Sequence, residues 1–204
     1  MANTWIPPEQ YIAKLPRITA YGCLFFTDTD GRVPQLRSSV QQHPGIWQWP
    51  GGNTDQDESP FDTAVRECRE ETGIQFGGAP KLLAVHWMSP SDAWPALKTG
   101  FVFDGGELTQ EEIFRIRLDP GEHDLYSVRS LERWAEVMET QGWQRLAAVH
   151  DARRTGTVAY IEMRPDAIGY PDPYRKRRRH PARGRSWPAR PPRQDRALGD
   201  TRRS

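Results

Sequence analysis

Continuous runs of apolar residues, each ended by a polar or glycine-rich stretch, predict the strands of this chain. The first run, residues 18–26 (ITAYGCLFF), has the character of a buried strand and ends at the turn signal of residues 28–31 (DTDG). Four later segments are also expected to be strands: residues 81–88, 99–104, 125–129 and 157–163. Residues 35–45 are polar, and we expect a loop there.

Three segments have the spacing and end signals of helices. The first is expected at residues 60–72, because Ser59 is a good N-cap, a proline occupies the first helical position and Gly73 follows the end. Its apolar stripe has spacings of four and three residues: Phe61, Val65 and Cys68. Two more helices are predicted at residues 130–141 and 143–154.

The order of these elements predicts an α/β domain with a mixed sheet and few βαβ repeats. Two glycine pairs are expected to act as turns. Gly51-Gly52 follows a short strand end at residues 46–50, and Gly105-Gly106 follows the strand at residues 99–104.

Composition separates the chain into two parts. It has 204 residues, 27% of them charged, a net charge of +1 and a mean hydropathy of −0.78. Residues 170–204 hold 12 Lys or Arg and three Asp, a net charge of +9, whereas residues 1–169 have a net charge of −8. The same segment, 170–204, also contains six prolines. Such a segment buries too little apolar surface to offset its ordering entropy. We therefore expect a folded domain at 1–169 and a disordered basic tail at 170–204.

The tail has two interpretations. It is either a solvated extension, which we favour because charge blocks are usually tails, or an arm that contacts nucleic acid. The rest of the chain has no run of about 18 apolar residues, so we expect no membrane span. Its start lacks the apolar core of a secretory signal, and the two cysteines are far apart. We therefore expect a cytoplasmic protein. Only four of its 28 basic residues are Lys, a bias of GC-rich genomes that suggests a bacterial source.

Three carboxylates share one face of the first helix. Glu67, Glu70 and Glu71 stand at i, i+3 and i+4. Like charges at i,i+4 destabilise a helix by about 0.2–0.5 kcal/mol per pair, so the presence of three glutamates on one face requires an explanation. A cage of oxygens for a hard divalent cation is one reason, and a solvated acidic face is the other. The helix alone does not decide between them.

The residues around the cluster complete a longer pattern. Residues 52–74 read Gly52-x5-Glu58-x7-Arg66-Glu67-Cys68-x-Glu70-Glu71-x-Gly73-Ile74. This string resembles the signature of the Nudix hydrolase family, with every fixed position filled. Seven fixed identities match by chance roughly once in 10⁸ windows. The resemblance extends more loosely over residues 9–165. It implies the Nudix fold, an α/β/α sandwich with a mixed sheet, and hydrolysis of a diphosphate linkage in a nucleoside diphosphate derivative.

The resemblance also implies a role for each residue of the motif. Mg²⁺ or Mn²⁺ would be bound by Glu70 and Glu71, with Glu67 as a further ligand or as the base. Arg66 would hold the carboxylates by bidentate hydrogen bonds. Glu58 would pair with that arginine or bind metal through water. By the same resemblance, Gly52 would contact metal or phosphate through its backbone, and Cys68 would be a core residue.

Many family members place another glutamate on a later loop, which completes the metal site or acts as base. Glu122 is our first candidate for that position and Asp124 the second, although both also fit a solvated loop. His123, between them, is expected to be a surface histidine. The motif departs from the family at Asp57, where a turn glycine is common. Asp tolerates the left-handed backbone conformation, so we expect the loop to keep its conformation with Asp57 at this position. Asp55 is shorter than the usual Glu.

The sequence gives weaker evidence about the substrate than about the metal site. Trp47 and Trp49 are candidates for stacking on a base and, with Gly51 and Gly52, for lining the substrate site. Core packing fits both tryptophans equally. Two later tryptophans are further candidate pocket walls: Trp87 and Trp94. Pro90 lies sixteen positions past Ile74, as in the ADP-ribose pyrophosphatase subgroup.

The candidate substrates are a nucleoside triphosphate, ADP-ribose and a nucleotide sugar. Patterns typical of coenzyme A and NADH hydrolases are missing from the sequence. Family members often form homodimers, which the sequence does not decide. The alternative function is a non-catalytic Nudix-like module that senses a nucleotide and binds nucleic acid through its basic tail.

Overall fold

The computed structural model describes residues 5–40, 44–92 and 94–163. Within these residues no helix is long and apolar enough to cross a membrane. The expected boundary near residue 169 and the basic segment 170–204 lie outside the described residues, so the division of the chain into domain and tail stays a prediction.

Eight strands and five helices make up the described part of the chain. The strands are β1 Ile18–Asp28, β2 Val33–Ser38, β3 Trp47–Gln48, β4 Gly51–Asn53, β5 Leu82–Met88, β6 Leu97–Leu108, β7 His123–Arg129 and β8 Ala159–Met163. The helices are α1 Pro8–Ile12, α2 Pro60–Thr72, α3 Gln110–Phe114, α4 Leu131–Ala135 and α5 Thr140–Thr155.

The strands form two sheets. The larger is mixed, in the order β4-β1-β6-β5-β8, with β1 parallel to β6 and β5 parallel to β8. The smaller is antiparallel, in the order β3-β2-β7. The short strands β3 and β4 are consecutive in the chain but belong to different sheets, so the segment between them links the two sheets.

Helices cover both faces of the larger sheet. Successive side chains of β1 point to opposite faces, so β1 contributes to the core on each side. Leu24 and Phe26 pack with Cys68 of α2 in one core cluster. Cys23 and Phe25 pack in the other cluster, with residues of α4 and α5: Trp134, Leu146, Val149 and Ala152. This arrangement confirms the predicted α/β/α sandwich with a mixed sheet.

The structure corrects three expectations about local structure. The first four residues of the predicted polar loop, 35–38, belong to β2, which is held by antiparallel pairing with β7. The predicted turn at Gly51-Gly52 is strand β4, which pairs with Gly22 and Cys23 of β1. The strand expected to end at Asp104 continues to Leu108 through a bulge. In each case a partner strand distant in the chain overrides the local polar or glycine signal.

The helices differ from expectation at their ends. The segment predicted as one helix at residues 130–141 is only α4, and α5 already begins at Thr140. The short helices α1 and α3 were not expected, and α1 has no buried residue that an apolar pattern could reveal.

Candidate active site

The helix α2 forms within the bounds that its end signals predict. The side chain of Ser59 accepts a hydrogen bond from the backbone N–H of Asp62, and Gly73 adopts a left-handed conformation with φ of 77°. Ala64 and Cys68 are buried against the sheet. The helix therefore holds its acidic residues along the border between the sheet and solvent.

One guanidinium organises three carboxylates, two of them on α2 and one in the loop before it. Arg66 Nε and Nη2 donate to the two oxygens of Glu58 at 2.7 and 3.0 Å. Its Nη1 donates to Glu67 Oε1 at 2.9 Å and to Glu70 Oε2 at 3.0 Å. The bonds from Arg66 lower the pKa of Glu58 to about 2. Arg66 thus binds Glu58, eight positions earlier in the chain, in the bidentate manner that the resemblance implies.

A fourth carboxylate is buried beside this group. Glu71 is only 3% exposed. Its Oε2 accepts a hydrogen bond of 2.9 Å from the backbone N–H of Gly51, and its Oε1 lies 3.0 Å from His123 Nε2. Burial raises the pKa of Glu71 to about 7 although both contacts oppose the shift. An ionised carboxylate at this position is costly for the fold.

The structure corrects the expectation that His123 lies on the surface. This side chain is 1% exposed, and its Nδ1 lies 3.4 Å from the carbonyl oxygen of Arg37. Contact with Glu71 contributes to a raised pKa of His123, against the effect of burial. In the sequence His123 stands between two acidic residues without apolar periodicity, so no local signal indicates its burial.

Two glycines allow the backbone to approach the carboxylates. A Cβ atom on Gly52 would collide with the carboxylate of Glu67. Gly51 has a φ of 154°, and a Cβ atom there would overlap the backbone of β1. Glu67 is itself partly buried, and burial raises its pKa. The structure therefore brings Gly52, Glu67 and Arg66 together. Among the described residues, the three whose metal-ligand atoms lie within 4.8 Å of one another are Glu71, Glu122 and His123, so the set of Glu67, Glu70 and Glu71 stays a prediction.

The two loop candidates lie in different surroundings. Glu122 is exposed, yet a carboxylate oxygen of Glu122 lies within 4.8 Å of ligand atoms of Glu71 and His123. Asp124 instead receives two hydrogen bonds from Arg37, of 2.8 and 2.9 Å, on the exposed surface. Glu122 therefore stays the candidate base, and Asp124 is engaged elsewhere.

The loop before α2 keeps the geometry that a glycine would give. Asp57 has a φ of 69°, the only positive value of a non-glycine residue among residues 5–40, 44–92 and 94–163. Asp55 contributes a carboxylate oxygen 3.6 Å from Arg66. The substitution of Asp for the common glycine is thus accommodated by the left-handed conformation that Asp tolerates.

The donor set suits a hard divalent cation. Carboxylate oxygens are the ligands that Mg²⁺ and Mn²⁺ prefer, and a backbone carbonyl is acceptable to both. The charges of Glu70 and Glu122 both raise the pKa of Glu67, so these acidic groups repel one another across a short distance. A cation bound by Glu67, Glu70 and Glu71 would relieve this repulsion.

A cleft of about 350 Å³ adjoins the carboxylates at Gly51 and Gly52. Trp49 lines it but is 3% exposed and packs in the core. Contact of Trp49 with a base stays a prediction. Trp47 lines a second cleft of about 480 Å³ and packs edge-to-face against Trp134 with a centroid distance of 4.9 Å. The sequence did not indicate two cations of the first cleft, Lys98 and Arg145.

Acid is expected to destabilise the protein through a histidine beneath this cleft. The Tyr21 Oη and His86 Nδ1 atoms lie 2.5 Å apart, and His86 is fully buried. Burial, aided by the charges of Arg145 and Lys98, lowers the pKa of His86 from 6.5 to about 3. Because the unfolded chain binds this proton near pH 6.5 and the folded protein does not, the free energy of unfolding falls as pH falls through this window. The loss at about pH 4.5 should be about 2–3 kcal/mol.

Urea denaturation of the protein and of His86→Gln, at neutral pH and near pH 4.5, measures this effect. The glutamine variant should lose less stability on acidification because it has no proton to take up. An equal loss in both proteins would contradict the assignment to His86.

Comparison with known proteins relates the chain to one family. The family model of the NUDIX domain matches residues 16–155. The fold resembles that of the MutT protein from Methanosarcina mazei Go1, with a TM-score of 0.55 and 23% identity over 69% of this chain and 96% of the other. The NUDIX domain of Shewanella oneidensis NrtR, solved in complex with ADP ribose, gives a TM-score of 0.54 and 18% identity over 74% of this chain and all of the other. No curated protein matches the chain.

Proposed function

Because this chain belongs to the Nudix family, we propose that it hydrolyses a diphosphate linkage in a nucleoside diphosphate derivative with the help of Mg²⁺ or Mn²⁺. Membership rests on the match over residues 16–155, more than half of the chain. As a member, the chain is a Nudix-type pyrophosphohydrolase. The metal, the substrate and the roles of individual residues are our proposals.

The observation that carries the proposal is the set of four hydrogen bonds from Arg66 to three carboxylates, beside the buried Glu71. A solvated acidic face would leave such side chains free to separate. Here one guanidinium and one backbone N–H hold them in place. Fixed oxygens beside an open cleft suit a metal-bound diphosphate, because phosphoryl transfer depends mainly on positioning and charge stabilisation.

The residues of the site would have different roles. Glu67, Glu70 and Glu71 would hold the cation, with the backbone of Gly52 as a further contact. When bound, the cation would neutralise charge on the diphosphate. Arg66 would hold the carboxylates in position by hydrogen bonds and would not contact the substrate.

A general base is also needed to take the proton from water. Glu122 is our candidate, because its carboxylate is exposed at the edge of the cluster and makes no ion pair among residues 5–40, 44–92 and 94–163. Glu67 is the alternative, although its oxygen already accepts a hydrogen bond from Arg66. The base must lie within reach of the proton that it removes, which favours an unengaged carboxylate.

A substrate screen tests the proposal. Nucleoside triphosphates, ADP-ribose and nucleotide sugars would each be incubated with the full chain and Mg²⁺ or Mn²⁺, followed by chromatography of the products. We include ADP-ribose because the Shewanella NrtR domain was solved with it. Hydrolysis in oxygen-18 water would show which phosphorus receives the new oxygen. We expect turnover with at least one compound and none with a chelator.

Turnover that survives chelation would contradict the metal requirement, and the absence of turnover with every compound would contradict the enzymatic proposal. Tight binding without hydrolysis would instead support the alternative, a nucleotide-sensing module. The cytoplasmic location, a homodimer and nucleic-acid contact through residues 170–204 stay predictions.

A further inference from the structure

Two cations line the cleft beside the active site and have no anionic partner in the part of the chain that the structure describes. Lys98, on β6, and Arg145, on α5, both line the cleft together with Gly51 and Gly52. Among residues 5–40, 44–92 and 94–163 neither forms an ion pair with a carboxylate. The other cationic groups near the active site, by contrast, are paired: Arg66 with Glu58 is an example.

Aromatic rings hold both cations in position. Lys98 Nζ lies 4.5 Å from the ring centroid of Trp94 and 5.2 Å from that of Tyr21. Arg145 Cζ lies 4.7 Å from the centroid of Trp49. Such cation–π contacts orient the charged groups but leave their N–H donors unused. Both cations line the cleft and retain their capacity to donate hydrogen bonds.

The arrangement is unfavourable for the protein alone. Both side chains are partly buried, and Arg145 Nε is a buried donor without a hydrogen-bond partner among the described residues. Burial lowers the pKa of Lys98, and the nearby charge of Arg145 acts in the same direction. Two like charges in a partly desolvated cleft repel each other, and a buried donor without a partner carries a desolvation cost. A bound anion would relieve both.

The chemistry of the groups limits what the ligand can be. Lysine and arginine side chains have donors and no acceptor, so they require acceptor oxygens that preferably carry negative charge. The cleft shares Gly51 and Gly52 with the carboxylate site, where the backbone N–H of Gly51 donates to Glu71. An anion at Lys98 and Arg145 would consequently belong to the same substrate as the diphosphate at the carboxylates.

We propose that Lys98 and Arg145 bind a phosphate of the substrate that lies beyond the hydrolysed linkage, and that they select substrates carrying this additional phosphate. This inference rests on the proposed function, since it takes the carboxylate site as the place of the scissile diphosphate. The additional phosphate has two possible sources, the end of a longer polyphosphate chain or a phosphate ester on a ribose.

Matched ligand pairs that differ by one phosphate test the inference by binding instead of turnover. ADP and ATP differ at the end of the polyphosphate chain, and ADP-ribose and its 2′-phosphate differ by a ribose ester. Titration calorimetry with the full chain, in Ca²⁺ and at physiological ionic strength, gives Kd for each compound. Chromatography after each titration verifies that the ligand is intact. The full chain keeps the 12 basic residues of the tail constant in every comparison.

We expect the phosphorylated member of one pair to bind about tenfold more tightly or better, as one charge-assisted hydrogen bond provides. The pair that shows the preference identifies the source of the phosphate. Lys98→Met and Arg145→Met should each remove most of the preference, because the Kd of the member with the phosphate should rise much more than the Kd of the member without it. Arg145→Lys should retain part of it.

Arg154→Gln is the matched control, because it removes a cation from the same helix at an exposed position paired with Asp151. It should leave the preference unchanged. Thermal unfolding shows whether each variant is folded, and Lys98→Gln replaces Lys98→Met if the latter is not.

A wild-type protein with no preference in either pair would overturn the inference, as would a preference that persists when both cations are replaced. These outcomes are independent of the hydrolysis screen. A failed screen with an intact binding preference would overturn the enzymatic proposal alone, and turnover without any preference would overturn only this inference.

Discussion

Replacement of Glu71 by glutamine is expected to lower kcat/KM about 10²–10⁴-fold, since loss of one metal ligand removes several kcal/mol of charge stabilisation in the transition state. The protein should stay folded. Glutamine has the same shape, and its carbonyl oxygen can still accept the hydrogen bond from the Gly51 N–H that Glu71 accepts in the structure.

The thermal midpoint of Glu71→Gln should be unchanged or higher than that of the parent protein above pH 7. Burial raises the pKa of Glu71 to about 7, so the ionised form is disfavoured in the fold, and a neutral amide avoids that cost. Loss of activity together with retained stability would separate a functional carboxylate from a structural one.

Glu111→Gln is the control for this experiment. Glu111 is an exposed carboxylate of α3 that pairs with Arg115 one turn away, outside the site. Its replacement should change neither kcat/KM nor the thermal midpoint. Full activity of Glu71→Gln, or a collapse of its stability with activity per folded molecule unchanged, would contradict the assignment of Glu71 as a metal ligand.

Replacement of Arg66 by lysine is expected to lower kcat/KM about 10–100-fold and to raise the metal concentration needed for half-maximal activity, as is typical for residues that orient metal ligands. A guanidinium presents its donors in a planar fork, whereas an ammonium is a single point charge. Lysine cannot reproduce the four hydrogen bonds from Arg66 to Glu58, Glu67 and Glu70.

The thermal midpoint of Arg66→Lys should also fall, because the carboxylates would repel one another with weaker compensation. Arg115→Lys is the matched control, since Arg115 bonds an exposed carboxylate, Glu111, one helical turn away and outside the site. Metal titration of activity and thermal unfolding on both variants provide the readouts. An Arg66→Lys protein with the metal dependence of the parent protein would show that the guanidinium of Arg66 is not required to position the carboxylates for metal binding.

Local signals were sufficient for the central part of the site. The bounds of α2 follow from Ser59, the proline at the first helical position and Gly73, which act on the residues next to them. The i, i+3, i+4 spacing placed Glu67, Glu70 and Glu71 on one face without reference to the rest of the chain. The long apolar run of β1 likewise predicts a buried strand, as the structure shows.

Contacts between distant segments were not accessible to such signals. β2 is polar enough to resemble a loop and exists because β7 pairs with it about ninety residues later in the chain. The burial of His123 depends on Glu71, 52 residues earlier. A polar side chain has the same local pattern whether it is solvated or buried against a partner, so its environment depends on tertiary packing.

The amino-acid sequence by itself determined the family, the helix that carries the carboxylates and the arginine beside them, because these depend on spacing along one short segment. Only the tertiary structure decided that Gly51 and Gly52 form a strand against β1, that Glu71 is buried on His123, and that Lys98 and Arg145 face the same cleft. The physical reason is that a helix forms from contacts within four residues, whereas burial and pocket chemistry arise when strands and helices far apart in the chain pack together.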